Sequence, residues 1–197
     1  DWTMSDTTVR KIARGLRVLL ILTIALIALA VLLVPASVMT NEENLFGGAG
    51  TFLYDLVHPA PDDITAAGVA GIFLSWVWVW GEGTRALTAL FLVACGICTV
   101  LILLQGLRVL NTILRGTPFS PQNASRLRRA AVYSFCIAGA AVVRTVWGLW
   151  FYQSLRPLAT YNALFMPVFT VFGLLCLVMS ALFRQAAEMQ AENDLTI

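Results

Sequence analysis

The stretch Arg115-Gly116-Thr117-Pro118-Phe119-Ser120-Pro121-Gln122-Asn123 is the longest clearly hydrophilic connection between two apolar segments of this 197-residue chain. Gly116 fits the position just after a helix end, because glycine adopts a left-handed backbone without steric penalty. Ser120 is expected to be an N-cap, with Pro121 as the first helical residue, where a missing N–H does no harm. We therefore predict that one long helix stops and another begins here, with four structural residues: Gly116, Ser120, Pro121 and Asn123.

Composition places the chain in a membrane. It is 59% hydrophobic and 12% charged, with a mean hydropathy of +0.81, whereas soluble domains are roughly half apolar and about a quarter charged. The net charge of +2 is too small to indicate direct binding of nucleic acid. We expect a single membrane domain over residues 1–197.

Four apolar segments are long enough to cross a bilayer, since a span needs about 20 residues at 1.5 Å each. We predict an all-α integral membrane protein, a four-transmembrane-helix bundle with an outer loop or cap between helices 1 and 2. The spans are 16–36, 84–106, 130–152 and 159–183, joined by the outer loop 37–83 and the connector 107–129, and followed by the tail 184–197. A signal peptide is the alternative for the first apolar run. Pro167 predicts a kink in the fourth span.

Basic residues in the short connections predict the orientation. The N-terminal region up to Arg17 carries four, and the region from Arg108 to Arg129 carries five and no acid. The outer loop carries acidic residues and no Lys or Arg. Both termini and the connector are therefore expected in the cytoplasm.

Residues 64–80 form a further apolar segment that is short for a span. It ends in Trp76-Val77-Trp78-Val79-Trp80, and tryptophan prefers the membrane–water interface. We expect this segment to pack on the outer surface of the bundle, first helical and then extended over the Trp run. The alternative, a fifth span, would move the arginine-rich connector to the outside.

The motif Cys95-Gly96-Ile97-Cys98 lies inside the second span, and all four cysteines fall in apolar segments. A membrane thiol oxidoreductase would need a low-pKa thiolate and a partner thiol. The other interpretation is that these small residues pack one helix closely against another around Gly96.

Arg144 is the charge that lies deepest inside a predicted span. An intramembrane ionisable group indicates a functional site by default, here a small permease or lipid-handling protein in which Arg144 binds an anionic head group or a carboxylate. The alternative is an arginine that reaches the outer interface with its long side chain.

The connector arginines and the tail are candidate partner-binding residues: Arg126, Arg128, Arg129, Asp194, Leu195 and Ile197. The arginines could dock an acidic protein or anionic lipid, and the tail could fold back on the connector or be bound as a free chain end. The alternatives are that the arginines only set topology and that the tail is a frayed terminus.

Motifs of common enzymes are missing from the sequence. There is no phosphate-binding glycine loop, no H-E-x-x-H and no Gly-x-Ser-x-Gly, and His58 is the single histidine. We expect no metal, no cofactor and no enzymatic activity.

The connector sequence, the following Leu127-Arg128-Arg129 and the ending Glu192-Asn193-Asp194-Leu195-Thr196-Ile197 resemble bacterial membrane proteins catalogued as domain of unknown function 2975. The order of the four spans agrees, so the resemblance covers nearly the whole chain, although the outer loop with its Trp run is larger than in the family. The resemblance implies a bacterial cytoplasmic (inner) membrane. It also implies a partner, a small cytoplasmic helix-turn-helix regulator that this protein would anchor, which favours a non-enzymatic regulatory or partner-docking role.

Overall fold

The described chain is almost entirely helical. The computed structural model describes the backbone of residues 2–40, 65–81, 83–115, 120–153 and 161–194, and these ranges contain no β-strand. The helices are α1 (Trp2–Thr40), α2 (Thr65–Trp78), α3 (Gly83–Leu114), α4 (Pro121–Tyr152) and α5 (Tyr161–Asp194), with a 3-10 turn at Val79–Gly81. The predicted all-α class is confirmed.

Four of the described helices are long and apolar enough to cross a membrane. Their apolar parts are Lys11–Met39, Gly83–Leu114, Pro121–Phe151 and Ala163–Glu192. Large hydrophobic side chains on all four are exposed, which fits contact with lipid. By contrast, α2 has 14 residues, about 21 Å at 1.5 Å per residue, against a hydrocarbon core of about 30 Å. The described chain therefore has four helices that could cross a membrane, the number predicted, and α2 is too short to be a fifth.

The chain forms two compact units, residues 1–27 with 98–197 (the major unit) and residues 28–97 (the minor unit). In the major unit, α4 and α5 pack along each other. The buried face of α4 consists mainly of small residues at helical spacing, which lets neighbouring backbones approach closely. Fully or almost fully buried positions on this face are Ala130, Ala131, Ser134, Ile137, Ala138, Ala141 and Thr145.

The minor unit is organised around Val79. This side chain is 1% exposed and shares a hydrophobic cluster with Val34 and Val38 of α1 and Ala89 of α3. The indole Nε1 of Trp76 donates a 3.1 Å hydrogen bond to the carbonyl of Leu32 in α1. One face of α2 and the turn after it is therefore fixed within this unit.

The predicted extended backbone over the Trp run is wrong, because α2 continues to Trp78 and a 3-10 turn follows. The buried positions here are Ser75 and Val79, four residues apart, while Trp78 and Trp80 are exposed. Alternation of Trp and Val suggested a two-residue period. Burial follows the helical period instead, because tertiary packing against α1 outweighs the β-propensity of Trp and Val.

Two prolines lie inside helices. Pro35 is within α1, which continues to Thr40 beyond the predicted end of the span at residue 36. Pro167 is within α5, and the helix assignment is unbroken around it. Proline removes one backbone donor, and in a membrane helix neighbouring groups can satisfy the freed carbonyl. The kink expected at Pro167 stays a prediction.

Hydroxyl side chains in the spans donate to the carbonyl one turn earlier on their own helix. Examples are Thr23 to Leu19 at 2.8 Å and Thr170 to Met166 at 2.6 Å. A polar group in hydrocarbon must be satisfied within the protein, and these bonds satisfy it without a partner helix.

Candidate functional site

The junction between α3 and α4 has the predicted stop-and-restart geometry where it is described. The Arg115 N–H donates to the carbonyls of Asn111 and Thr112 at 3.2 Å each, closing the end of α3. Ser120 has an extended backbone (φ −116°, ψ 144°) at the N-cap position, and Pro121 begins α4. The Ser120 hydroxyl makes no capping bond. Gly116 lies outside the described residues.

Asn123 connects the two helices. Its side chain is fully buried, and its Nδ2 donates a 2.7 Å hydrogen bond to Oγ1 of Thr112 on α3. The Thr112 hydroxyl lies 2.6 Å from the carbonyl of Val109, to which it can donate. A buried amide is stable only when it is hydrogen-bonded, so Asn123 fixes the first turn of α4 against the last turns of α3.

Arg126 belongs to the same network. Its Nη1 donates to Oδ1 of Asn123 at 3.1 Å and to the carbonyl of Arg108 at 3.0 Å. Arg126 is one of the predicted partner-binding residues. The structure shows its guanidinium bound within the protein, where it holds α4 to α3, and a partner role for it stays a prediction.

A cleft of about 380 Å³ lies between the first two turns of α4 and the last turns of α5. We call it the polar-end cleft. Small residues make up most of its lining, and three charged side chains are added to them. The lining residues are Pro121, Ala124, Ser125 and Arg128 on α4, and Ser180, Arg184, Ala187, Glu188 and Ala191 on α5.

The two walls of the polar-end cleft are tied together at one end. The Ser180 hydroxyl on α5 donates a 2.7 Å hydrogen bond to the carbonyl of Ala124 on α4. Further along α5, Nε of Arg184 lies 2.9 Å from Oε1 of Glu188, an ion pair one helical turn apart with both side chains largely exposed. This exposed pair adds little stability, but it sets two opposite charges in fixed positions on one wall, opposite the wall that carries Arg128.

The connector and the tail meet at the polar-end cleft, but only some of the predicted partner-binding residues line it. Arg128 lines the polar-end cleft, whereas the exposed Arg129 does not. The tail is helical to Asp194, so up to that residue it continues α5 and does not fold back on the connector. The side chain of Asp194, and Leu195 and Ile197, lie outside the described residues.

Arg144 is half-buried on α4. It lies sixteen residues after Arg128 on the same helix, about 24 Å at 1.5 Å per residue, so it is remote from the polar-end cleft. Thr145 beside it is buried. The intramembrane site around Arg144 therefore stays a separate prediction.

Gly96 of the C-x-x-C motif is packed against α1. Cys95 is buried, and all four cysteines are free thiols. A Cβ atom added to Gly96 would overlap the side chain of Val31, so Gly96 marks a close helix–helix contact of the kind expected from small residues. Among the residues that the structure describes, no group of three His, Cys, Asp or Glu side chains could hold a metal ion.

A family model described as "Protein of unknown function (DUF2975)" matches residues 58–197. The chain belongs to this family. The match starts after α1 and includes the Trp run, so membership is shown from residue 58 onwards, a shorter region than the nearly whole-chain resemblance expected from sequence. No curated protein and no solved structure matches the chain.

Several lining residues of the polar-end cleft were not found from sequence, although a signal was present. Ser180, Arg184 and Glu188 are spaced by four, as are Ala187 and Ala191. This spacing puts small and charged residues on one stripe of a helix, just after its apolar part ends. The partner stripe on α4 is Ala124 with Arg128, also four residues apart.

Proposed function

We propose that this protein is a non-enzymatic regulatory membrane protein that docks a cytoplasmic partner in the polar-end cleft. The observation that carries the proposal is the position of Arg128 from the connector together with Arg184 and Glu188 from the tail in one cleft. These are the two segments that the sequence marks as polar and charged at the end of otherwise apolar helices.

The chemistry of the cleft favours binding over catalysis. The Ser125 hydroxyl donates to the carbonyl of Gln122 at 2.9 Å, and the Ser180 hydroxyl donates to that of Ala124. Glu188 is paired with Arg184, so neither hydroxyl has it as a base. A nucleophile needs an adjacent general base, and none is bonded to either hydroxyl of the lining.

The partner that fits the cleft is a polypeptide segment with a carboxylate. Arg128 lines one wall, and the Arg184 guanidinium on the other wall can donate hydrogen bonds to an incoming carboxylate in place of Glu188. Alanines on both walls leave space for a close backbone approach. The basic connector orients this end towards the cytoplasm, and the family resemblance points to a small helix-turn-helix regulator at a bacterial inner membrane.

The test compares two neighbouring arginines of equal charge. Arg128→Glu reverses a charge that lines the cleft, and Arg129→Glu makes the same change outside it. Crosslinking and affinity capture from native membranes should recover the soluble partner with wild type and with Arg129→Glu, and at least tenfold less with Arg128→Glu. Equal recovery with both variants would contradict a site at the cleft.

A second pair of variants tests the space in the cleft without a change in charge. Ala191→Trp places a large side chain in the cleft, and Gln190→Trp places it on the neighbouring exposed position. We expect loss of the captured partner with Ala191→Trp alone. Similar thermal unfolding of both variants in detergent would show that the loss is not caused by misfolding.

Two alternative functions have separate tests. A permease or lipid-handling role centred on the half-buried Arg144 predicts loss of lipid or solute transfer in Arg144→Gln with partner capture unchanged. A thiol oxidoreductase predicts loss of activity after alkylation of Cys95 and Cys98. The contact of Gly96 with Val31 already explains the small residues there, so the second alternative has less support.

A further inference from the structure

We propose that α2 is inserted in the bilayer and that its exposed face contacts lipid acyl chains. The alternative is a helix that lies on top of the membrane.

The hydrogen bond of Trp76 fixes the depth of α2 on α1. The accepting carbonyl belongs to Leu32. Leu32 lies four residues before Ala36, where the first span was predicted to end, and seven before Met39, the last residue of the apolar part of α1. At 1.5 Å per residue these separations are about 6 and 10 Å. The indole therefore lies below the end of a membrane-spanning helix.

The direction of α2 follows from a second contact. Val79, three residues after Trp76, clusters with Val34 and Val38, which follow Leu32 along α1. The two helices therefore advance in the same sense. Moving back from Trp76 to Phe73 goes deeper along α1, by about 4 to 5 Å if the axes are aligned.

Over residues 71–81, where the structure describes the side chains, the exposed large side chains of α2 and its turn are all apolar. Residues 64–81 contain no charged side chain. The exposed large side chains are Phe73, Leu74, Val77, Trp78 and, in the turn, Trp80. Ser75 is buried, and its hydroxyl donates to the carbonyl of Ile72 at 2.6 Å.

Lipid is the occupant that these observations favour. A helix that lies flat in the interface needs a polar face towards water, whereas a helix that is apolar all round belongs in an apolar surrounding. The face is also continuous with the exposed apolar surface of α1, including Leu29 and Leu32. With 14 residues α2 is too short to cross the bilayer, so it adds no span and the connector stays on the predicted side.

The experiment measures membrane depth with spin labels in proteoliposomes of the full chain. Labels at Phe73→Cys and Val77→Cys, with the four native cysteines replaced by Ala, are compared with Leu26→Cys in the α1 span and Arg129→Cys at the polar end. At residues 73 and 77 we expect the spin label to collide often with oxygen and rarely with a water-soluble nickel chelate, as it should at residue 26. Residue 73 should be deeper than residue 77 by several ångströms.

Three results would overturn the proposal. The first is that the label at residue 73 is as accessible to the nickel chelate as the label at residue 129. The second is that the labels at residues 73 and 77 lie at equal depth. The third is that both labels are shielded from oxygen and from nickel, which would indicate that protein covers this face. If a labelled variant fails to fold, tryptophan quenching by lipids brominated along the acyl chain gives the same answer. The double variant Trp78→Phe, Trp80→Phe should lose part of that quenching, and unchanged quenching would contradict insertion.

Discussion

The side-chain amide of Asn123 donates a 2.7 Å hydrogen bond to the hydroxyl of Thr112, across the junction of α3 and α4. Asn123 is fully buried, and its amide oxygen accepts from Arg126. One side chain thus fixes both the helix before it and the arginine after it. The start of α4, which forms one wall of the polar-end cleft, is positioned by this contact.

Asn123→Leu should destabilise the protein by about 2 kcal/mol, because it removes the buried amide that bonds Thr112 of α3 and Arg126 of α4 at once. The midpoint of thermal unfolding in detergent would measure the loss. Ser125→Ala, two residues further on at an exposed position, is the matched control and should shift the midpoint little. Equal shifts would show that the junction does not depend on Asn123.

The contact between Gly173 of α5 and Phe135 of α4 predicts a steric effect. A Cβ atom at Gly173 would lie 3.0 Å from the Phe135 ring, whereas one at Gly139 would meet nothing within 4 Å. Gly173→Leu should therefore destabilise the α4–α5 pair by about 1–3 kcal/mol, and Gly139→Leu should not. Phe135→Ala should rescue Gly173→Leu, and failure of that rescue would contradict the contact.

Packing and redox chemistry make opposite predictions for the C-x-x-C motif. Because a Cβ at Gly96 overlaps Val31, Gly96→Leu should lower stability strongly, and Val31→Ala should restore part of it. Replacement of Cys95 and Cys98 by Ala should leave unfolding and partner capture near wild type. A large functional loss on replacing the cysteines, with folding intact, would favour the oxidoreductase.

Trp76 differs from Trp78 in that its indole N–H donates a hydrogen bond to another helix. Trp76→Phe removes the donor to the Leu32 carbonyl and should cost about 1 kcal/mol. Trp78→Phe changes a side chain that is 67% exposed and should cost much less. Unfolding of the two variants under identical detergent conditions makes the comparison, and the reverse order would contradict the position of α2.

Much of the fold could be predicted because long apolar segments and helix punctuation are local signals. The stop at Leu114, the extended Ser120 and the start at Pro121 follow from glycine and proline chemistry alone. The Trp run shows the limit, since its alternation suggested extended backbone while contacts with α1 made it helical. Contacts between distant residues, such as Trp76 with Leu32, are not encoded in local spacing.

The polar-end cleft was predictable only in part for the same reason. Arg128 and the acidic tail were candidates from charge, but Arg126 and Arg129 looked equivalent to Arg128 in sequence. The fold separates them: Arg126 is bound to Asn123 and Arg108, Arg128 lines the cleft, and Arg129 is exposed outside it. Which side of a helix faces a neighbour is decided by packing, which sequence alone did not specify here.

Site-specific photo-crosslinking in intact membranes tests the docking cleft most directly. A photo-reactive residue at position 191, in the cleft, is compared with one at position 190, the exposed neighbour outside it. The proposal predicts a crosslink to a small soluble protein from position 191 that Arg128→Glu abolishes, with at most a trace from position 190. Crosslinks to lipid alone, or equal protein crosslinks from both positions, would contradict a docking role for this cleft.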